Sequence, residues 1–224
     1  KISLNKIFIF YPSPRLYIAA KLAGIKNVYS YPLFRKKNLH LVNAANKFTC
    51  EKLNIDSCPT ETKFFIDHKK IDHAKKYFAK DNYNIVIGAG SSGPDTRWGE
   101  NNFISLINKL NAIGNYYFYI QCGPEQNEIS KNIINKIEKK NCMDLSKMNI
   151  SEIIPILSLC DMYVGNDSFS HHITSQCNKP SIVLLLNSPK AYSDYSKNHH
   201  RIIPENAKLE ELDHSSNYSA SSIG

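Results

Sequence analysis

The residues with the chemistry to bind or react fall in three stretches: Gly88-Ala-Gly-Ser-Ser-Gly-Pro-Asp-Thr-Arg-Trp98, Gln121-Cys-Gly-Pro-Glu-Gln126 and Gly165-Asn-Asp-Ser-Phe-Ser-His-His172. They offer hydroxyls (Ser91, Ser92, Thr96, Ser168), one guanidinium (Arg97), carboxylate or amide groups (Glu125, Gln126, Asp167) and an imidazole (His172). Hydroxyls, backbone N–H groups and a guanidinium suit a phosphate or pyrophosphate. A carboxylate or amide fixes ribose or sugar hydroxyls by accepting from them. Asp167 and Ser168 are also N-cap residue types, so this stretch reads equally as a helix cap and as a binding site.

Stepping outward, each stretch follows an apolar run of strand length and precedes a helical pattern. Asn84–Gly88, Tyr116–Gln121 and Met162–Gly165 read as strands. Between them, Phe103, Ile104, Ile107, Leu110 and Ile113 recur at helical spacing, and Ile129, Ile133, Ile134 and Ile137 do the same. Met143–Leu145 reads as a short extended piece, Ile150–Leu159 as a helix containing Pro155, and Ile182–Leu186 as a further strand covered on both faces. Alternation of strand and helix predicts a parallel sheet with right-handed crossovers. In such a sheet all three loops converge on the edge where ligands bind.

Upstream, the pattern predicts strands at 7–11 and 28–31, a helix opened by Pro12-Ser-Pro14 and closed by Gly24, a helix over 39–53, an extended piece at 63–66 and a basic helix over 71–78. Lys80-Asp-Asn82 reads as a boundary, giving domains 1–80 and 81–224.

Several function classes are excluded. There is no G-x-x-x-x-G-K-[ST], hence no P-loop NTPase, and Gly88-Ala-Gly90 matches only the first half of a dinucleotide fingerprint. No G-x-S-x-G elbow accompanies Asp167, Ser168 and the histidines, which argues against a serine hydrolase. Adjacent helical residues point about 100° apart and seldom share one ion, so His171-His172 is read as no metal site. Trp98, at the entry to a helix, is read as packing. The net charge of +8 is dispersed and lacks a basic stripe interleaved with aromatics, which excludes a nucleic-acid platform. Six cysteines without C-x-x-C spacing read as reduced thiols, and the expected location is the cytoplasm.

On these residues the chain resembles the lipopolysaccharide heptosyltransferases, glycosyltransferase family nine, over nearly its whole length. Gly88–Trp98 is similar to the family's Pro-Gly-Ala…Lys-Arg-Trp-Pro segment, and Gly123-Pro-Glu125 to its Gly-Gly-Pro-x-Glu turn. Leu145–Ile150 resembles the segment beside the base. Gly165-Asn-Asp-Ser-Phe-Ser-His-His172 is similar to Gly-Asn-Asp-Ser-Gly-x-x-His, the most specific of the four. Tyr11-Pro-Ser-Pro-Arg15 and Leu22-Ala-Gly-Ile25 resemble the second half of the family's first domain.

The resemblance implies an α/β GT-B architecture of two Rossmann-like domains, the N-terminal, acceptor-side one incomplete here and the C-terminal one holding a nucleotide sugar. It implies that Ser91 and Ser92 contact the diphosphate, that Arg97 supplies the charge where Thr96 occupies the usual Lys position, and that Glu125 or Gln126 binds ribose. Met148 would lie by the base, Asp167 would hold sugar hydroxyls, the N–H groups of Ser168 and Phe169 would meet phosphate, and His172 would line the pocket. Phe169 stands where the family has Gly. The family's general base is expected upstream of Lys1.

The implied activity is metal-independent, inverting transfer of a sugar, heptose from an ADP-linked donor, to a lipopolysaccharide core or related glycan. No cofactor is expected beyond the nucleotide sugar. The implied state is a monomer in peripheral contact with the inner membrane. The competing expectations are a non-catalytic nucleotide-sugar-binding remnant and a GT-B nucleotide-sugar epimerase.

Overall fold

The computed structural model describes residues 4–31, 41–59, 65–185 and 196–205. Its contacts divide the chain into two units, 1–61 and 62–224.

The first unit pairs β1 (Lys6–Ile9) in parallel with β2 (Asn27–Ser30) through α1 (Pro14–Leu22). Ser13 caps α1 by accepting from Leu16 N–H at 3.3 Å, and Pro14 sits at the first helical position, where a missing N–H costs nothing. Helix α2 (Leu41–Leu53) ends at Asn54, whose φ of 55° is the left-handed conformation common after helices. The unit's apolar centre is aromatic: Phe48 is met edge-on by Phe8, Phe10 and Tyr31.

The second unit begins with α3 (His68–Lys75), which starts and ends three residues before the helix expected at 71–78. Ala74 is buried against the second unit's core, and the Tyr119 hydroxyl lies 2.9 Å from Tyr77 O and 3.1 Å from Asn84 Oδ1. These contacts tie the segment to the sheet. Of the extended piece expected at 63–66, residues 63 and 64 lie outside the described residues.

The sheet contains β3 (Tyr83–Gly88), β4 (Tyr116–Gln121), β5 (Cys142–Asp144), β6 (Met162–Asn166), β7 (Ser181–Leu184) and β8 (His199–Ile202). All pairings are parallel, in the order β5-β4-β3-β6-β7-β8. The chain builds outward from β3 to β5, then jumps back to β6 beside β3, so the order reverses between β3 and β6. Strand β8 was not legible in the sequence, because His-His-Arg-Ile carries no apolar alternation.

Side chains alternate between two cores, as strand geometry requires. Ile85, Ile87, Phe118, Ile120 and Val164 pack with α4 (Glu100–Asn111) and α5 (Asn127–Asn135). Val86, Tyr119 and Tyr163 pack on the other face with α3, α6 (Ile150–Leu159) and α7 (Phe169–Gln176). Phe103 and Ile107 of α4 are fully buried, each worth on the order of 2–3 kcal/mol. Ile113, expected on the same stripe, lies beyond the end of α4 and is 76% exposed. Trp98 packs edge-on against Phe103, with ring centroids 5.0 Å apart. Beyond α4, an apolar groove of about 680 Å³ opens along β6, β7 and β8, with Met162, Ile182 and Ile202 in its wall.

Candidate functional site

The loops after β3, β4 and β6 meet at one edge of the sheet, and the crevice between β3 and β6 is its switch point. Two glycines shape it. Gly88 and Gly165 are register partners at the ends of these strands, and a methyl group on either would strike the Tyr163 hydroxyl. The space they leave lets that buried phenol reach the loop after its own strand. It donates to Asn166 O at 2.7 Å and pairs with Ser168 Oγ at 3.1 Å. Burial pushes its pKa well above the ordinary phenol value, so it stays a neutral donor.

Asn166, at the end of β6, is fully buried and joins the two walls. Its Nδ2 donates to Ala89 O at 2.8 Å, and its Oδ1 accepts from Trp98 N–H at 2.9 Å. Both ends of the 89–98 loop are thereby fixed to the strand across the crevice. A buried amide bonded through both its oxygen and its nitrogen sets the loop's position rather than adding flexibility.

Inside that loop the hydroxyls are turned on one another. Ser91 Oγ and Thr96 Oγ1 lie 2.5 Å apart, and both reach Gly93 O, at 2.9 and 2.8 Å. The Ser91 carbonyl accepts from Gln126 Nε2 at 2.6 Å and from the Arg97 guanidinium at 3.3 Å. Ser91, Thr96, Arg97 and Gln126 lie together, but the contacts of Ser91, Thr96 and Gln126 are with the loop itself. Among the described residues, what remains for a ligand is the exposed Ser92, the N–H groups of Ser92 and Gly93 without a hydrogen-bond acceptor, and two buried atoms without a partner, Arg97 Nε and Gln126 Oε1. Successive outward N–H groups beside a guanidinium are an anion-binding arrangement.

Glu125 is exposed at the mouth of the β4 loop. Of the two ribose-binding candidates, Gln126 spends its Nε2 on Ser91 O and keeps a buried Oε1 without a partner among the described residues, and Glu125 is exposed. Met148 is half-buried against the core formed by α3, α6 and α7, in the segment that leads into α6.

In the β6 loop Ser168 and Asp167 are used differently. Ser168 is the N-cap of α7, and its N–H donates to His171 Nδ1 at 3.0 Å, closing a capping box in which His replaces the usual Glu or Gln. Asp167 does not cap. Its Oδ1 lies 3.4 Å from His171 Nδ1 and 3.7 Å from His172 Nε2. Phe169, first residue of the helix, is 41% exposed beside this loop. His172 is half-buried, and burial holds its pKa below the ordinary imidazole value against the pull of Asp167, with His199 adding to the lowering. The ring is thus neutral at pH 7.

The two adjacent histidines do not diverge as their spacing suggests. The capping contact turns His171 back, and the ring centroids of His171 and His172 are 3.7 Å apart. His199, from the unforeseen strand β8, brings a third ring 5.1 Å from that of His171. Asn166 lies in the stretch that the sequence places at the binding edge, whereas Tyr163, which supports the crevice beside it, went unselected. The thiols of Cys122 and Cys160 are buried, their pKa values pushed up to about 12, and all six cysteines are free.

An open parallel sheet whose order reverses between β3 and β6 defines a Rossmann-type α/β domain. Residues 23–220 match the family described as glycosyltransferase family 9 (heptosyltransferase), and the chain belongs to that family. It is 25% identical over 161 residues to lipopolysaccharide heptosyltransferase 1 of Campylobacter coli, covering 69% of this chain but 47% of that protein, so it spans about half the relative's length. Among solved structures, the family 9 glycosyltransferase of Veillonella parvula superposes with a TM-score of 0.79 at 15% identity, over 98% of this chain and 70% of that one. E. coli ADP-heptose lps heptosyltransferase II gives 0.70 at 15% identity, over 98% and 75%. The E. coli heptosyltransferase solved with ADP gives 0.67 at 17%, over 99% and 71%. No described helix is long and apolar enough to cross a membrane.

Proposed function

We propose that this chain holds the donor for transfer of heptose, from an ADP-linked sugar, to a lipopolysaccharide core acceptor. The observation that carries this reading is the latch of Asn166 across the switch point, which holds an anion-binding loop open to ligand on one side of the crevice and the Asp167 carboxylate on the other. Family membership narrows the chemistry to glycosyl transfer, and the names of the Campylobacter and E. coli relatives supply the sugar and nucleotide.

In this mechanism an acceptor hydroxyl attacks the anomeric carbon from the face opposite the diphosphate, inverting the centre as the C–O bond to phosphate breaks. The departing diphosphate gains charge as that bond lengthens. Arg97, the N–H groups of Ser92 and Gly93, and the N-terminus of α7 offer preorganised donors for that charge without a metal ion at the phosphates. Asp167 accepts from sugar hydroxyls, Glu125 from ribose, and Phe169 closes one side of the donor's path. No residue of this chain is assigned as the general base.

A second reading, nucleotide-sugar binding without transfer, is favoured by the inward commitment of the Ser91 and Thr96 hydroxyls. Calorimetric titration with ADP, UDP and GDP tests both. Saturable ADP binding, weakened about ten- to hundredfold by Arg97→Ala through loss of a charge-assisted contact, is the expected result. Heptose transfer to a core acceptor then separates transferase from binder. Absence of binding to all three nucleotides, in a chain that melts cooperatively, would sink both readings.

A further inference from the structure

We propose that His171, His172 and His199 form a binding site for one divalent transition-metal ion of the zinc class, tying the first turn of α7 to strand β8. One ring nitrogen from each of the three lies within 4.8 Å of the other two. The rings of His171 and His199 meet at 67°, and those of His171 and His172 at 42°, so the three form a cluster rather than a stack. His171 is fully buried and the other two are half-buried. Neutral imidazole is a borderline ligand that suits zinc, cobalt, nickel and copper over magnesium or calcium.

Asp167 supplies what such a cluster needs around it. A metal-bound histidine donates its remaining ring N–H to a carboxylate or carbonyl, which fixes its tautomer and orientation. Asp167 Oδ1 stands 3.4 Å from His171 Nδ1 and 3.7 Å from His172 Nε2, within closing distance of both. In the capping box His171 accepts at Nδ1 from Ser168 N–H, which puts the ring proton on Nε2. Metal binding at Nε2 moves that proton to Nδ1, where Asp167 accepts it. The cap bond is given up and a metal bond formed. Tetrahedral zinc with bonds of about 2.0–2.1 Å separates its ligand nitrogens by about 3.4 Å, so the rings must draw inward by roughly 1 Å. His172 and His199 are half-buried, while His171 is fully buried. Three protein ligands leave the fourth position to water.

This site shares Asp167 with the proposed donor site, but its test reads metal binding and not nucleotide binding. Its ligands come from two elements joined through 26 intervening residues, 173–198, so an ion bound only in the folded state stabilises the unit. The test uses the full chain without a histidine tag. Titration with Co²⁺ is expected to give the intense visible bands of a tetrahedral site, saturating at about one equivalent and erased by Zn²⁺. Zn²⁺ at micromolar concentration is expected to raise Tm by several degrees. His199→Ala and His172→Asn must each abolish both responses, while His73→Ala, on α3, retains them. If one of the two site variants fails to melt cooperatively, the other decides. Absence of the cobalt bands in the wild type, or their persistence in a folded site variant, overturns the assignment.

Discussion

The amide of Asn166 receives the N–H of Trp98 at 2.9 Å, bonding the strand on one side of the crevice to the loop on the other. With the second bond, to Ala89 O, it makes loop position a property of the sheet. The site therefore behaves as one unit, and its parts respond together when the latch is cut.

Asn166→Ala removes both bonds, taking the amide from the part-buried Trp98 N–H and the buried Ala89 carbonyl. Each orphaned group costs about 1–3 kcal/mol. The expected outcome is a lower Tm with nucleotide affinity reduced at least tenfold. Asn166→Asp keeps the acceptor to Trp98 but sets a carboxylate against Ala89 O, and is expected to be as damaging. Melting curves and ADP titration check both. Unchanged affinity in a destabilised protein would limit the latch to a packing role.

Tyr163→Phe tests the floor beneath the β6 loop. The ring stays and its packing is kept, while Asn166 O and Ser168 Oγ lose the phenol. A loss of about 1–2 kcal/mol in unfolding free energy is expected from chemical denaturation. Gly88→Ala acts on the same contact from the other side, driving the phenol out of the space the glycine leaves, and is expected to cost more.

Much of this was legible in the sequence. The strands read at 84–88, 116–121 and 162–165 from their apolar runs are present as Tyr83–Gly88, Tyr116–Gln121 and Met162–Asn166, and strand-helix alternation places the loops after them at one edge. Residue types at the site were legible too, but their pairings were not. Nothing in the spacing of Ser91, Thr96 and Gln126 distinguishes a hydroxyl that meets phosphate from one that closes its own loop. That depends on a turn whose geometry is fixed by Pro94 and by contacts 35 residues away. His199 was hidden for a different reason: its strand is short, polar and at the edge, where no apolar period is required.

Gln126→Ala frees Ser91 O from its shortest bond, 2.6 Å, and opens the loop toward solvent. Arg97 retains its own contact to the same carbonyl. The expected result is a modest drop in Tm, with weaker ADP binding that Gln126→Glu does not rescue, since a carboxylate would repel the carbonyl. Rescue by Glu would instead mean that position 126 binds ribose directly.

Asp144 gives the second unit a built-in acid sensitivity. Burial works to raise its pKa, but donation from Ser130 Oγ at 2.6 Å and from Ser146 N–H at 2.9 Å outweighs it, and the carboxyl is held below its ordinary value. A depressed carboxylate stabilises the fold fully above its unfolded pKa, about 4, and that contribution is lost as pH falls through the folded value. Asp144→Asn is neutral at every pH. It should melt several degrees below wild type at pH 7, and the gap should narrow steadily as pH is lowered from about 5 toward 3. Thermal melts of both proteins across that range provide the check. A gap that stays constant would mean that Asp144 acts through shape alone, holding α5 to the turn after β5 by hydrogen bonds that an amide cannot reproduce at any pH.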